Sequence, residues 1–166
     1  MKKSIVLALL IPALLGPIAA LTTADHTIAA SKMSKAAKYG PWQFSLHSLG
    51  SMGRTMKDPL DPDATVEAAG HWVYAQVRIT NTSNTRQSAK NLILTTGSQL
   101  VSSQGKSYDL DNTATGYPYD HLEEKPFSPG ESRDVKFFFD APTNDTFQRL
   151  EIVTMKSLAN IRLDFK

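Results

Sequence analysis

The sequence predicts an all-β protein, an antiparallel sandwich of seven to eight short strands, and three observations carry that expectation. Residues Trp72 to Thr80 alternate strictly, with Val73, Ala75, Val77 and Ile79 on one side and Trp72, Tyr74, Gln76, Arg78 and Thr80 on the other. A period of two sends successive side chains to opposite faces of a sheet, so the aliphatic set belongs to a core while Gln76 and Arg78 stay wet. Val135, Phe137 and Phe139 alternate in the same way with Lys136, Phe138 and Asp140. Other short apolar runs recur between clusters of Gly, Pro, Asn and Asp, with no convincing amphipathic helix among them, which is the pattern of a sandwich.

In chain order, residues 1–24 read as a secretory signal. Lys2 and Lys3 precede an apolar run from Ile5 to Leu15, and then come Pro17 and the small residues Ala19, Ala20, Thr22 and Ala24. Cleavage is expected after Ala24, with Ala20 as the second choice. Pro12, Gly16 and Pro17 interrupt the run, which argues against an uninterrupted membrane helix; the alternative is an uncleaved anchor. Residues 25–39 are rich in Ala, Ser and Lys with little to bury, so they read as a flexible leader, and the domain spans 40–166.

The first strand runs from Trp42 to Leu49, with Trp42, Phe44 and Leu46 facing one way. Gly50 to Gly70 holds Gly53, Pro59, Pro62 and three aspartates, too many turn formers for a long element, and reads as a loop. The central strand follows. Asn91 to Thr96 is a short strand, and Gln99 to Val101 with Lys106 to Leu110 form a hairpin around Gly105. Asn112 to Lys125 reads as a second loop. A turn at Ser128, Pro129 and Gly130 introduces the strand that ends at Pro142, which cannot continue a ladder inside a sheet. Arg149 to Thr154 and Ile161 to Phe165 complete the chain.

Composition excludes some functions. The 18 basic residues include Lys2 and Lys3, so the mature chain carries 16 against 16 acids. A neutral domain has no field to draw it to nucleic acid or to an anionic membrane, and it holds no cluster of Arg and Lys interleaved with aromatics. With no cysteine it has neither a lipid-anchoring site nor a disulfide, and its core alone must hold it. After signal cleavage it is not expected to be membrane-embedded; its location is outside the cytoplasm, periplasmic or extracellular.

The run from Gly70 through Trp72 to Thr80, then Asn81-Thr82-Ser83, resembles the strand, Asn and small polar signature of the bacterial secreted domain of unknown function 4352. Phe127-Ser128-Pro129-Gly130-Glu131 and Val135 to Pro142 are similar to that family's turn and following strand, and Leu100 to Leu110, with Gly105 and Tyr108, to its central hairpin. The resemblance covers roughly Tyr39 to Lys166. Through a further similarity to the immunoprotective extracellular proteins of mycobacteria, it implies an immunoglobulin-like fold. It implies no catalytic residues and no cofactor.

Among candidate sites, Tyr117, Tyr119 and His121 beside Asp120 offer an aromatic, polar contact surface on a loop, suited to an unknown protein or glycan; their alternation also fits an ordinary edge strand. His47 with Met52 and Met56 offers the imidazole and thioether set that suits copper. That reading requires the three side chains to converge. Asp58, Asp61 and Asp63, and separately Asp109 and Asp111, read better as solvated turn acids than as calcium ligands. There is no Gly-x-Ser-x-Gly elbow and no His-Glu-x-x-His motif, and Glu123 and Glu124 are adjacent and so diverge on a strand. The expected function is therefore a secreted, non-catalytic binding module, with a copper-handling protein as the alternative. Oligomeric state is not legible.

Overall fold

The computed structural model describes residues 36–116, 122, 125–155 and 158–165. Ten strands are present among them: β1 (Ala37–Tyr39), β2 (Trp42–Ser51), β3 (Thr55–Lys57), β4 (Thr65–Glu67), β5 (His71–Asn81), β6 (Ile93–Ser102), β7 (Ser107–Asp109), β8 (Ser132–Ala141), β9 (Phe147–Thr154) and β10 (Asn160–Asp164). They form a four-stranded sheet in the order β1-β2-β5-β8, a second in the order β10-β9-β6-β7, and the small pair β3-β4, all antiparallel. Leaving aside the edge strand β1 and the separate pair β3-β4, the first, second and fifth strands share one sheet and the seventh, sixth, third and fourth the other. This is the immunoglobulin arrangement with the fourth strand moved across. Among the described residues, no helix is long and apolar enough to cross a membrane.

The alternation of β5 does what its period dictates. Val73, Ala75, Val77 and Ile79 are fully buried and meet Phe44, Phe137, Leu150, Ile152 and Leu163 in the core between the sheets. Burying aliphatic and aromatic side chains at roughly 1.5–3 kcal/mol each is the main source of stability for a chain without disulfides.

The outer face of the first sheet departs from expectation. The stretch Gly50 to Gly70 is not an irregular loop: β3 and β4 pair Met56 with Val66 and strap over the start of β5. Trp72 and Tyr74, on the side opposite the main core, are therefore buried with Ala68, Ala114 and Phe138 in a second apolar cluster. Trp72 Nε1 donates to Val66 O at 3.3 Å, and the Asp140 carboxylate accepts from the Ala69 and Gly70 N–H groups at 2.7 and 2.8 Å. The strap was hidden because strands of three residues surrounded by Pro, Asp and Gly give no periodic signal.

Three smaller differences have similar causes. The leader expected up to residue 39 ends sooner, because Ala37 to Tyr39 pair with Phe44 to Trp42 as β1. The two strands expected between Asn91 and Val101 are one, β6, whose register breaks between Leu94 and Gln99, around Gly97 at φ +88°. The second loop opens with a one-turn helix, α1 (Asn112–Thr115), capped by Asp111, whose Oδ1 accepts the Ala114 N–H. Thr115 Oγ1 accepts the Phe138 N–H and Leu110 bridges to Phe139, so this segment covers part of the free edge of β8.

Candidate functional site

The site is assembled at the end of the sandwich where β5 finishes. Asn81, the last residue of β5, lies opposite Trp42 and is fully buried. Its Nδ2 donates to Thr85 O at 2.8 Å and to Phe127 O and Ser128 O at 3.2 Å, while its Oδ1 accepts from Ser83 N at 3.0 Å and Ser83 Oγ at 2.8 Å. The two stretches Asn81 to Ser83 and Phe127 to Glu131 thus meet in one hydrogen-bonded corner, with Asn81 N donating to Glu131 O and Gly130 N to Asn81 O.

Glu131 closes that corner. Its carboxylate accepts the Ser128 N–H at 2.7 Å and pairs with Arg133 at 2.7 Å. The Ser128 N–H first, and then Arg133, hold the Glu131 carboxyl below its usual range. Arg133 also lies 4.0 Å from the Phe127 ring centroid and donates to Lys125 O. Phe127 in turn meets Trp42 edge-on at 5.1 Å.

A cleft of about 150 Å³ opens beside this corner. One wall is the β1–β2 turn, where Gly40 at φ +53° and Pro41 link Tyr39 directly to Trp42. A two-residue hairpin turn of this kind asks for a glycine at its first position, which is why Gly40 can bring the two aromatic residues side by side. Thr82 secures the turn by donating its N–H and its hydroxyl to Pro41 O at 2.8 and 3.0 Å. The facing wall is Gln87, Ser88, Lys90 and Leu92. Gln87 is bridged to Phe127 by a pair of backbone hydrogen bonds, and Ser88 Oγ accepts the Lys90 N–H. Both walls are therefore tied to the same buried corner.

The segment that forms the second wall, Asn81 to Leu92, holds basic residues and no acid. Arg54, Arg78, Arg133, Arg149 and Arg162 each pair with a carboxylate. Arg86 and Lys90 are exposed, and among the described residues neither has an acidic partner. The Met155 N–H donates to Leu92 O, which brings the β9–β10 turn alongside.

The residues singled out from sequence lie elsewhere. Tyr117, Tyr119 and His121 fall outside the described residues. His47 is exposed at a bulge where the β2–β5 register shifts, on the open half of the outer face, near the Arg78–Asp134 ion pair. Arg78 is the main reason that the Asp134 carboxyl lies below its usual range. Met52 and Met56 pack half-buried against the Trp72 cluster under the strap. Met52 lies five positions beyond His47 along extended chain, roughly 16 Å at about 3.3 Å per residue, so the structure does not bring the three together. Among the described residues, no group of three His, Asp or Glu side chains is placed to hold a metal ion. Asp58 and Asp61 accept backbone N–H groups two residues on, as turn acids do.

Sequence reasoning missed Tyr39 and Lys90 because one sat in the presumed leader and the other between strands. The dipeptide Gly40-Pro41, flanked by Tyr39 and Trp42, was the available signal.

A family model for "Domain of unknown function (DUF4352)" matches residues 31–159, a span that contains both walls of the cleft. Among curated proteins none matches. Of solved structures, a functionally unknown protein from Listeria monocytogenes EGD-e is 14% identical, with a TM-score of 0.50 over 87% of this chain and 88% of that one. A conserved hypothetical protein from Bacillus anthracis is 11% identical, with a TM-score of 0.49 over 83% of this chain and 100% of that one. An uncharacterized beta-sandwich protein from Clostridium difficile 630 is 11% identical, with a TM-score of 0.45 over 81% and 91%. At such identity the Listeria likeness speaks to fold alone.

Proposed function

The chain belongs to the DUF4352 family, and on that premise we propose that it is an exported, non-catalytic binding module whose ligand is held at the cleft between Tyr39 and Lys90. The observation that carries the reading is an exposed cation, Lys90, in a concave, partly aromatic surface whose walls are both anchored in one buried corner. Loops held rigidly by a sandwich are where binding residues concentrate, because a fixed frame lowers the entropy lost on association. Export is supported by the charged, apolar, small-residue order of the first 24 residues.

The test is an NMR screen of the full chain, expressed with its first 24 residues replaced by a tag, against peptides and soluble cell-wall glycan fragments. Binding at this site shifts the amides of Tyr39, Gln87, Lys90 and Leu92 together. A panel that moves only amides far from the cleft would refute it. Fractionation of expressing cells, with sequencing of the mature N-terminus, tests export: a chain beginning at Asp25 outside the cytoplasm is expected, and a full-length cytoplasmic chain contradicts it.

A further inference from the structure

We infer that the cleft takes one apolar side chain from an extended, acidic peptide segment of a partner protein, an inference that rests on the binding-module reading above. Size excludes a larger occupant. Sites for whole small molecules run from roughly 300 to 1,000 Å³, whereas this cleft is about 150 Å³. It has room for a single leucine- or phenylalanine-sized group.

The lining sets the chemistry of that group. Tyr39, Pro41, Trp42 and Leu92 present mostly carbon, and Trp42 is 4% exposed with its ring edge against Phe127. Trp42 offers no open face on which a sugar could stack, which leaves Tyr39 as the one partly open ring of the lining; an inserted aliphatic or aromatic side chain needs only an apolar wall.

Charge sets what flanks it. Of the arginines, five have carboxylate partners and Arg86 has none among the described residues; it is exposed and immediately precedes Gln87 of the cleft wall, while Lys90 lines the cleft itself. No acid occurs between Asn81 and Leu92. Unpaired cations beside an apolar hole complement carboxylates on either side of an apolar anchor, and they speed encounter with an acidic segment.

A fourth observation extends the contact surface. Three large apolar side chains are well exposed among the described residues; one of them, Met155 at 44%, donates its N–H to Leu92 O, and another is Leu158 at 70%. Leu158 has φ +50°, a left-handed conformation that costs a branched residue about 1–2 kcal/mol. Met155 carries the apolar surface beyond Leu92.

The probe is a capped heptapeptide, Gly-Asp-Asp-Phe-Asp-Asp-Gly, titrated into the isotope-labelled full chain. Shifts at Tyr39, Gln87, Lys90, Leu92 and Met155 are expected, weakening as salt is raised. The Arg86→Glu, Lys90→Glu double variant, both positions exposed, is expected to raise Kd about tenfold or more, near 1.4 kcal/mol. Exchanging the aspartates for asparagine, or phenylalanine for glycine, should do the same. If the asparagine peptide binds the cleft as tightly as the acidic one, the partner inference falls while the binding module stands. If acidic, neutral and basic peptides and glycan fragments all leave the cleft amides unmoved, both fall.

Discussion

Replacing Asn81 with alanine tests whether the corner is the frame on which the cleft depends. Five contacts to the side chain do not make five lost hydrogen bonds' worth of stability. Thr85 O also accepts from Ser83 Oγ, Phe127 O from Gln87 N and Ser128 O from Glu131 N, so each carbonyl keeps one partner when Nδ2 is removed. What is lost is the two N–H donors of one amide group and the acceptor for Ser83 N and Oγ. At about 1 kcal/mol net per hydrogen bond, with a small cavity in place of a fully buried side chain, destabilisation comes to about 3 kcal/mol. Urea unfolding followed by tryptophan fluorescence reads this directly. With a slope of about 1–3 kcal/mol/M, the midpoint should fall by 1 M or more on the same scale. Asn81→Asp is the discriminating control. It keeps the acceptor for Ser83 but turns a carboxylate toward three carbonyl oxygens, so it must be worse than alanine. A loss under about 1 kcal/mol for alanine, or an aspartate variant milder than alanine, would refute the reasoning.

Three other outcomes follow from the same structure. Glu131 has a depressed folded pKa, so its contribution is complete above the ordinary glutamate value of about 4.3 and is lost as pH falls through the depressed one. Thermal midpoints of Glu131→Gln should therefore drop less steeply between neutral and acid pH than those of the parent, with Asp134 and Glu151 supplying the residual slope; equal slopes would contradict the assignment. Gly70→Ala places a Cβ 2.8 Å from Ala141 O, a backbone atom that cannot swing away, so a loss of about 2 kcal/mol is expected by chemical denaturation. Leu158→Gly relieves the left-handed strain, about 1–2 kcal/mol, against a glycine entropy cost of about 0.5–1 kcal/mol. Its midpoint should hold or rise; a drop in midpoint would show that Leu158 is structural.

The sheet alternation was legible because both principal strands bury one face against another sheet, so period and burial coincide over ten residues. It failed at Trp72 and Tyr74, whose outward side is also buried, because the strap that covers them is too short to carry a period. His47 and Met52 looked like neighbours for the opposite reason. Five residues are close in sequence, but a strand spreads them along its length. Tyr39 and Lys90 come together through pairings with β2 and with Phe127, contacts that no local pattern encodes.

The distinction between the corner and the cleft also separates the polar groups that hold the fold from those left for a ligand. Asn81, Glu131 and Arg133 spend their polar groups on the backbone or on one another. A ligand that engaged Asn81 would first have to break hydrogen bonds in a fully buried site, at a cost of about 1–3 kcal/mol for each group left unsatisfied. Lys90 and Arg86 sit on the segment that the corner holds in place, yet contribute nothing to holding it. Their exchange is expected to leave the fold intact, and on the proposed reading the corner preorganises the cleft while these cations select the ligand.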